Sequence, residues 1–270
     1  MSIKKIRMIS RNELSLARIT AAAARRVRNL PHTLAWYFDN VRNAANIQNI
    51  RELYNAFSGE RCFIIGNGPS LANTDLDLLR NEKTFGLNRI YLMQSSNKFK
   101  PSFYVCMNDL VILQSQTEIH RIQTLKFLNW RHRHLFQNDS NTIFLHETFT
   151  PRFSTDLSAQ IWGGATVTYA TMQIAYYLGF QQVILVGVDH RFKSKGIPHQ
   201  VITSGDEDPD HFHPDYFAHG TRWQLPDLRT SEYAYRLAKE TYEADGREIL
   251  DATINGALQI FPKVTYQSLF

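Results

Sequence analysis

The stretch Arg61–Leu71, RCFIIGNGPSL, sets an apolar run directly against Gly66-Asn67-Gly68-Pro69-Ser70. A glycine turn at a strand's end lets backbone N–H groups approach an anion, and a helix starting just after it adds its positive end. This turn lacks the lysine with which a Walker loop grips β- and γ-phosphates. It also lacks the third spaced glycine of a loop for pyrophosphate-bridged dinucleotides. What remains is a nucleotide with fewer phosphates, cradled by main-chain amides and carboxamides. Two more asparagines, Asn88 and Asn108, close later apolar runs, and Gly187 and Asp189 close the strongest one. Asparagine offers a donor and an acceptor without charge, which suits a ribose hydroxyl, a base edge or a phosphate. Each asparagine taken singly is also an ordinary turn residue.

A second group lies downstream. His211, His213 and His219 fall within nine residues, among Asp206, Glu207, Asp208, Asp210 and Asp215. Three readings stay open. The segment could be an acidic loop whose histidines cap turns. It could hold a divalent ion through His-x-His and carboxylates. It could be a lid carrying a general base, since a neutral imidazole suits proton removal at physiological pH. Tyr216, Arg222 and Trp223 would then shape a sugar or acceptor pocket. Asp109 and Asp189 are the carboxylates available to Mg²⁺ if the chemistry were diphosphate transfer.

These residues need a scaffold that brings strand ends together. From Gly59 onward, apolar runs alternate with helical stretches, which indicates an α/β fold with a doubly wound, Rossmann-like, mostly parallel sheet. In such sheets ligands bind beyond the carboxyl ends of the strands, where the glycine loop, the asparagines and Asp189 lie. The organisation read from the chain is a basic helical extension over residues 1–58 and a Rossmann-like nucleotide-binding domain over 59–270. A polar lid loop occupies about 191–225. Helix-forming residues fill 12–54, with an expected interruption at Pro31.

The 270 residues are 43% hydrophobic with a net charge of +5. Residues 1–50 carry nine Lys/Arg against Glu13 and Asp39, so the rest of the chain is slightly acidic. A nucleic-acid partner is not expected, because the body shows no basic excess of its own. The basic arm is expected either to pack on the main domain or a second subunit, or to lie on an anionic membrane face. No run reaches the roughly 18 apolar residues of a membrane span, and no secretory h-region precedes the body. Cys62 and Cys106 sit inside apolar runs and read as reduced core thiols. A cytoplasmic protein is expected, acting at the inner face of the membrane.

On these motifs the chain resembles the MptE-like family, named for a 6-hydroxymethylpterin pyrophosphokinase, over roughly residues 59–260. It is also similar to bacterial lipooligosaccharide sialyltransferases, which share the GNGPSL start. In those enzymes the loop asparagine, here Asn67, contacts the nucleotide of CMP-sialic acid. Asparagines end the next strands, here Asn88 in FGLNRIYL and Asn108 in FYVCMND. A helix ending in Ala-Leu-Gly-Tyr leads into a strand ending in Gly-Ile-Asp, here YYLGFQQVILVGVD. The catalytic histidine of the loop beyond matches His219, in YFAH. The tyrosine that contacts the leaving phosphate is replaced here by Arg191, which would serve the same leaving group through charge-assisted hydrogen bonds. The segment His211–Phe217 matches the His-Phe-x-Pro-x-Tyr-Phe signature of an MptE-like subgroup accompanying surface-polysaccharide genes.

The resemblance implies an inverting, metal-independent glycosyltransferase using a CMP-activated acidic sugar and a glycan or lipid-linked acceptor. Gly66, Asn67, Gly68, Pro69, Ser70, Asn88, Asn108, Gly187 and Asp189 would hold the donor. Arg191 would stabilise the departing phosphate, and His219 or His211 would be the base. No cofactor is implied. Two alternatives remain: a Mg²⁺-dependent pyrophosphokinase, and a non-catalytic nucleotide-binding subunit. Homo-oligomerisation through the helical extension is compatible with all three.

Overall fold

The computed structural model describes residues 16–38, 40–95, 99–137 and 139–270. The arm residues Lys4, Lys5, Arg7 and Arg11 lie outside them. The chain opens with two helices, α1 (Leu16–Phe38) and α2 (Asn40–Glu52). Strands β1 (Arg61–Ile65), β2 (Lys83–Leu87) and β3 (Phe103–Cys106) follow, then the short helices α3 (Asp109–Gln114) and α4 (Gln116–Arg121). After β4 (Leu125–Asn129) and β5 (Thr142–Leu145) come the two-residue strands β6 (Glu147–Thr148) and β7 (Ile161–Trp162). Helix α5 (Val167–Tyr177) and strand β8 (Gln182–Val186) precede a small hairpin, β9 (Val201–Thr203) and β10 (Arg222–Gln224). Helix α6 (Leu228–Ala244) and strand β11 (Glu248–Asp251) complete the body.

Seven strands form one sheet in the order β11-β8-β1-β2-β3-β4-β5, every pairing parallel. Cys62–Ile65 and Val183–Val186 are fully buried. Continuous apolar runs are what a parallel sheet covered on both faces requires. The expected α/β doubly wound architecture is therefore present. The order reverses at β1, with β2 to β5 on one side and β8 and β11 on the other. That switch point opens a crevice beyond the ends of β1 and β8. Edge strand β5 is blunted by α2: the Asn46 carboxamide donates to Phe144 O at 3.0 Å and accepts from Phe144 N at 2.8 Å. This pairing satisfies the Phe144 N–H and C=O, which an open edge would leave exposed. Cys62 and Cys106 are buried free thiols, and burial raises the pKa of both.

Three expectations are corrected. Pro31 does not interrupt α1. The helix is held on both sides of the proline by tertiary contacts. Trp130 Nε1 donates to His32 O at 3.0 Å, Arg131 donates to Asn29 Oδ1 at 3.0 Å, and Trp36 is buried edge-on to Trp130. The glycine loop leads not into an α-helix but into a five-residue 3-10 turn, Pro69–Asn73. The lid is not one irregular loop. The β9–β10 hairpin frames it, with Asp208 and Asp210 buried inside it.

Candidate functional site

A cavity of about 530 Å³ lies over the carboxyl ends of β1, β2, β3 and β8, roofed by the lid and the start of α6. Of the sequence-derived candidates, Gly66, Asn67, Gly68, Asn88, Asn108, Gly187, Asp189, Arg191, His211, Tyr216 and Trp223 line it. Pro69, Ser70, His219 and Arg222 are not among the lining residues.

The glycine loop is built differently from an anion cradle. Gly66 N–H donates to Val186 O at 2.7 Å, and Gly68 N–H to Gly187 O at 2.9 Å. Ser70 donates twice to Asp189, from N to Oδ1 at 3.1 Å and from Oγ to Oδ2 at 2.7 Å. The expected amide cradle is thus corrected, because three of its N–H groups are spent on the neighbouring β8 loop. The glycines are needed for that close approach. A Cβ on Gly66 would stand 2.3 Å from Gly187 O, and one on Gly68 only 1.9 Å from Asp189 Oδ2.

What the loop offers is the Asn67 side chain. Its Nδ2 donates to Leu87 O at 3.2 Å, which fixes the orientation of the amide. The Oδ1 atoms of Asn67 and Asn88 are buried and have no hydrogen-bond partner among the described residues. Asn88 takes a left-handed backbone, φ +46°, a conformation asparagine tolerates. Its carbonyl accepts from the Tyr104 hydroxyl. A buried acceptor left unpaired costs about 1–3 kcal/mol, and both asparagines line the cavity. Asn108 differs: its Oδ1 caps α3, accepting from Leu110 N at 2.9 Å and Val111 N at 3.2 Å.

On the lid, His211 Nδ1 lies 2.7 Å from Asp208 Oδ2. Asp208 is buried and further fixed by N–H donors from Phe217 and Asp210. A carboxylate acceptor at Nδ1 places the proton there and leaves Nε2 as the basic nitrogen. The imidazole stacks on Tyr216 at 4.0 Å and 5°. Arg89 donates to the Tyr216 and Asp215 carbonyls, and Phe212 N–H donates to Asn67 O at 3.0 Å, tying the lid to the glycine loop. Phe217 stacks on Trp223, giving the cavity an aromatic wall. His219 is 70% exposed and 3.3 Å from Asp215.

Two features of the cavity went unread in the sequence. Glu147, at the start of β6, lines the cavity, and its Oε2 accepts from Asn129 at 3.1 Å. Burial pushes its carboxyl up to about 7, against the pull of Arg131. It packs so close to Gly163 that a Cβ there would lie 2.3 Å from Oε1. The other is the Gly163–Thr166 turn, with Gly164 and Ala165 both left-handed, which delivers the N-terminus of α5 to the cavity. Thr166 caps that helix. Its eleven residues carry a dipole that the 3-10 turn after Gly68 cannot supply. The Gly-Gly pair before a threonine cap was the legible signal; Glu147 had none, since only the fold places it there.

The carboxylates considered for Mg²⁺ are engaged by protein groups. Both Asp109 oxygens are taken, by Arg131 and by His132 at 2.8 Å. Burial alone would raise the Asp109 carboxyl, but the His132 hydrogen bond and the Arg131 charge outweigh it and lower it. Both Asp189 oxygens face Ser70. Among the described residues no group of three His, Cys, Asp or Glu is placed to hold a metal ion.

A family model described as 6-hydroxymethylpterin diphosphokinase MptE-like matches residues 37–195. The chain belongs to the MptE-like family. The matched span ends at the lid, so the MptE-like model covers the strand ends but not His211. No curated protein matches the chain. Among solved structures, the MAf glycosyltransferase of Magnetospirillum magneticum AMB-1 is similar in fold. The TM-score is 0.52 at 14% identity, over 80% of this chain and 35% of that one. This MptE-like chain thus spans about a third of that protein's length.

Proposed function

We propose that this MptE-like protein is a glycosyltransferase that takes a nucleotide-activated sugar in the cavity and transfers it with inversion. The observation that carries the reading is the Asp208–His211 pair, set in a cavity that Asn67 and Asn88, whose carboxamide oxygens are unpaired among the described residues, also line. Acceptor-only oxygens call for hydroxyl or amine donors rather than phosphate. They suit the ribose hydroxyls or exocyclic amine of a nucleotide, both of which a CMP-activated donor would supply.

In this scheme His211 Nε2 removes the proton of the acceptor hydroxyl while Asp208 steadies the imidazolium. The acceptor oxygen bonds to the anomeric carbon as the bond from that carbon to the phosphate oxygen breaks. The nucleotide leaves with the electron pair, and the proton passes from His211 to water. Arg191 and the N-terminus of α5 stabilise the departing phosphate. Glu147, its carboxyl raised to about 7, would meet an acidic sugar with a hydrogen bond when protonated, where an ordinary carboxylate would offer only a repulsive charge.

Calorimetry with CMP and with ATP, each with Mg²⁺ and with EDTA, tests the donor class. CMP binding undiminished by EDTA is expected. Binding of ATP alone, and only with Mg²⁺, would replace this reading with diphosphate transfer. His211→Ala is expected to lower kcat about 10²- to 10⁴-fold with CMP affinity little changed.

A further inference from the structure

Helix α1 is amphipathic in the wrong direction for a helix that only packs on its own domain. Its inward side is made of Asn29 and Trp36, both buried, with His32 beside them. Val27, Leu30, Leu34, Tyr37 and Phe38 are 48–73% exposed. Their spacing of three, four, three and one residues sets them in one stripe along the helix. An exposed apolar stripe of this length marks a surface that is covered by something else.

The charge pattern says by what. Residues 16–38 contain four arginines and no acid, and Arg26 and Arg28 are exposed outside the inward side. A second copy packed parallel would set arginines against arginines, and one packed antiparallel would offer them no acid. An anionic bilayer supplies the opposite charge to the arginines and an apolar layer to the stripe, with Tyr37 suited to the headgroup level. No helix among the described residues is long and apolar enough to cross a membrane, so the helix would lie along the surface. Arg25 also lines the cavity.

We propose that α1 is an interfacial helix that seats the chain on an anionic membrane, holding the cavity beside the lipid surface. The seating rests on the exposed stripe and its arginines alone. That the acceptor arrives from the lipid rests in addition on the glycosyltransferase reading.

Co-sedimentation with vesicles tests the seating. Vesicles of equal parts phosphatidylglycerol and phosphatidylcholine are compared with phosphatidylcholine alone, for the full chain and for the double variant Leu30→Glu/Leu34→Glu. The full chain is expected to bind the anionic vesicles and to release them at high salt. The double variant should bind about tenfold more weakly or worse, with its circular dichroism and CMP binding unchanged. Equal binding by the variant, or no anionic preference, would overturn the proposal. So would a stable dimer in sedimentation equilibrium that the variant dissociates. Membrane binding without CMP binding would retain the seating and remove the glycosyltransferase reading.

Discussion

Among single residues, the lid histidines separate by environment rather than by motif. Both were legible as candidate bases, and His219 had the stronger resemblance. The fold sets His211 in the cavity on a buried aspartate and leaves His219 at the surface. His219→Ala is therefore expected to keep kcat within about threefold of the parent, where a lost general base costs about 10²-fold or more. Parallel kinetics of the two alanine variants check this. Glu147 makes a second residue-level prediction. Its carboxyl is raised from 4.5 to about 7 in the folded chain. Between those values the folded state holds the proton more tightly than the unfolded one. Its contribution to stability is present below pH 4.5 and is lost as pH rises through 7. Glu147→Gln is expected to remove that loss and to be more stable than the parent at pH 8 by about 1–3 kcal/mol. At pH 4.5 the gain should shrink, as urea denaturation at the two pH values would reveal.

At the scale of elements, the parallel sheet was readable because its strands are continuous apolar runs ended by glycine or asparagine. The runs 61–66 and 181–189 became β1, Arg61–Ile65, and β8, Gln182–Val186. Other assignments failed where tertiary contacts outweigh local rules. Pro31 stays helical because Trp130 and Arg131 grip the backbone and side chain on either side of it. The β9–β10 hairpin was missed because its strands, Val201–Thr203 and Arg222–Gln224, are three residues each and mostly exposed. The glycine loop looked like a phosphate cradle because sequence reveals where glycines are, not which atoms crowd them. Its glycines serve the seam between β1 and β8, so Gly68→Ala is expected to cost about 1–3 kcal/mol through contact with Asp189. Adding Asp189→Ala should return part of that loss. A double-mutant cycle in thermal denaturation measures the coupling; additive losses would contradict the packing account.

For the whole molecule, the switch of strand order at β1 gathers residues from four strand ends, the α5 N-terminus and the lid around one cavity. The asparagines were legible because strand ends converge in any doubly wound sheet. Their division of labour was not. The Asn108 oxygen is spent on a helix cap, while Asn67 and Asn88 line the cavity with oxygens that lack a partner among the described residues. The central claim is that those two oxygens receive the ribose or base of a nucleotide donor. A crystal structure of the protein with CMP tests it most directly. The account predicts ligand hydroxyl or amine groups about 3 Å from Asn67 Oδ1 and Asn88 Oδ1, with the phosphate toward Arg191 and the start of α5. A nucleotide bound elsewhere, or one whose phosphate sits on the Gly66–Gly68 amides with both oxygens still unpaired, would contradict it.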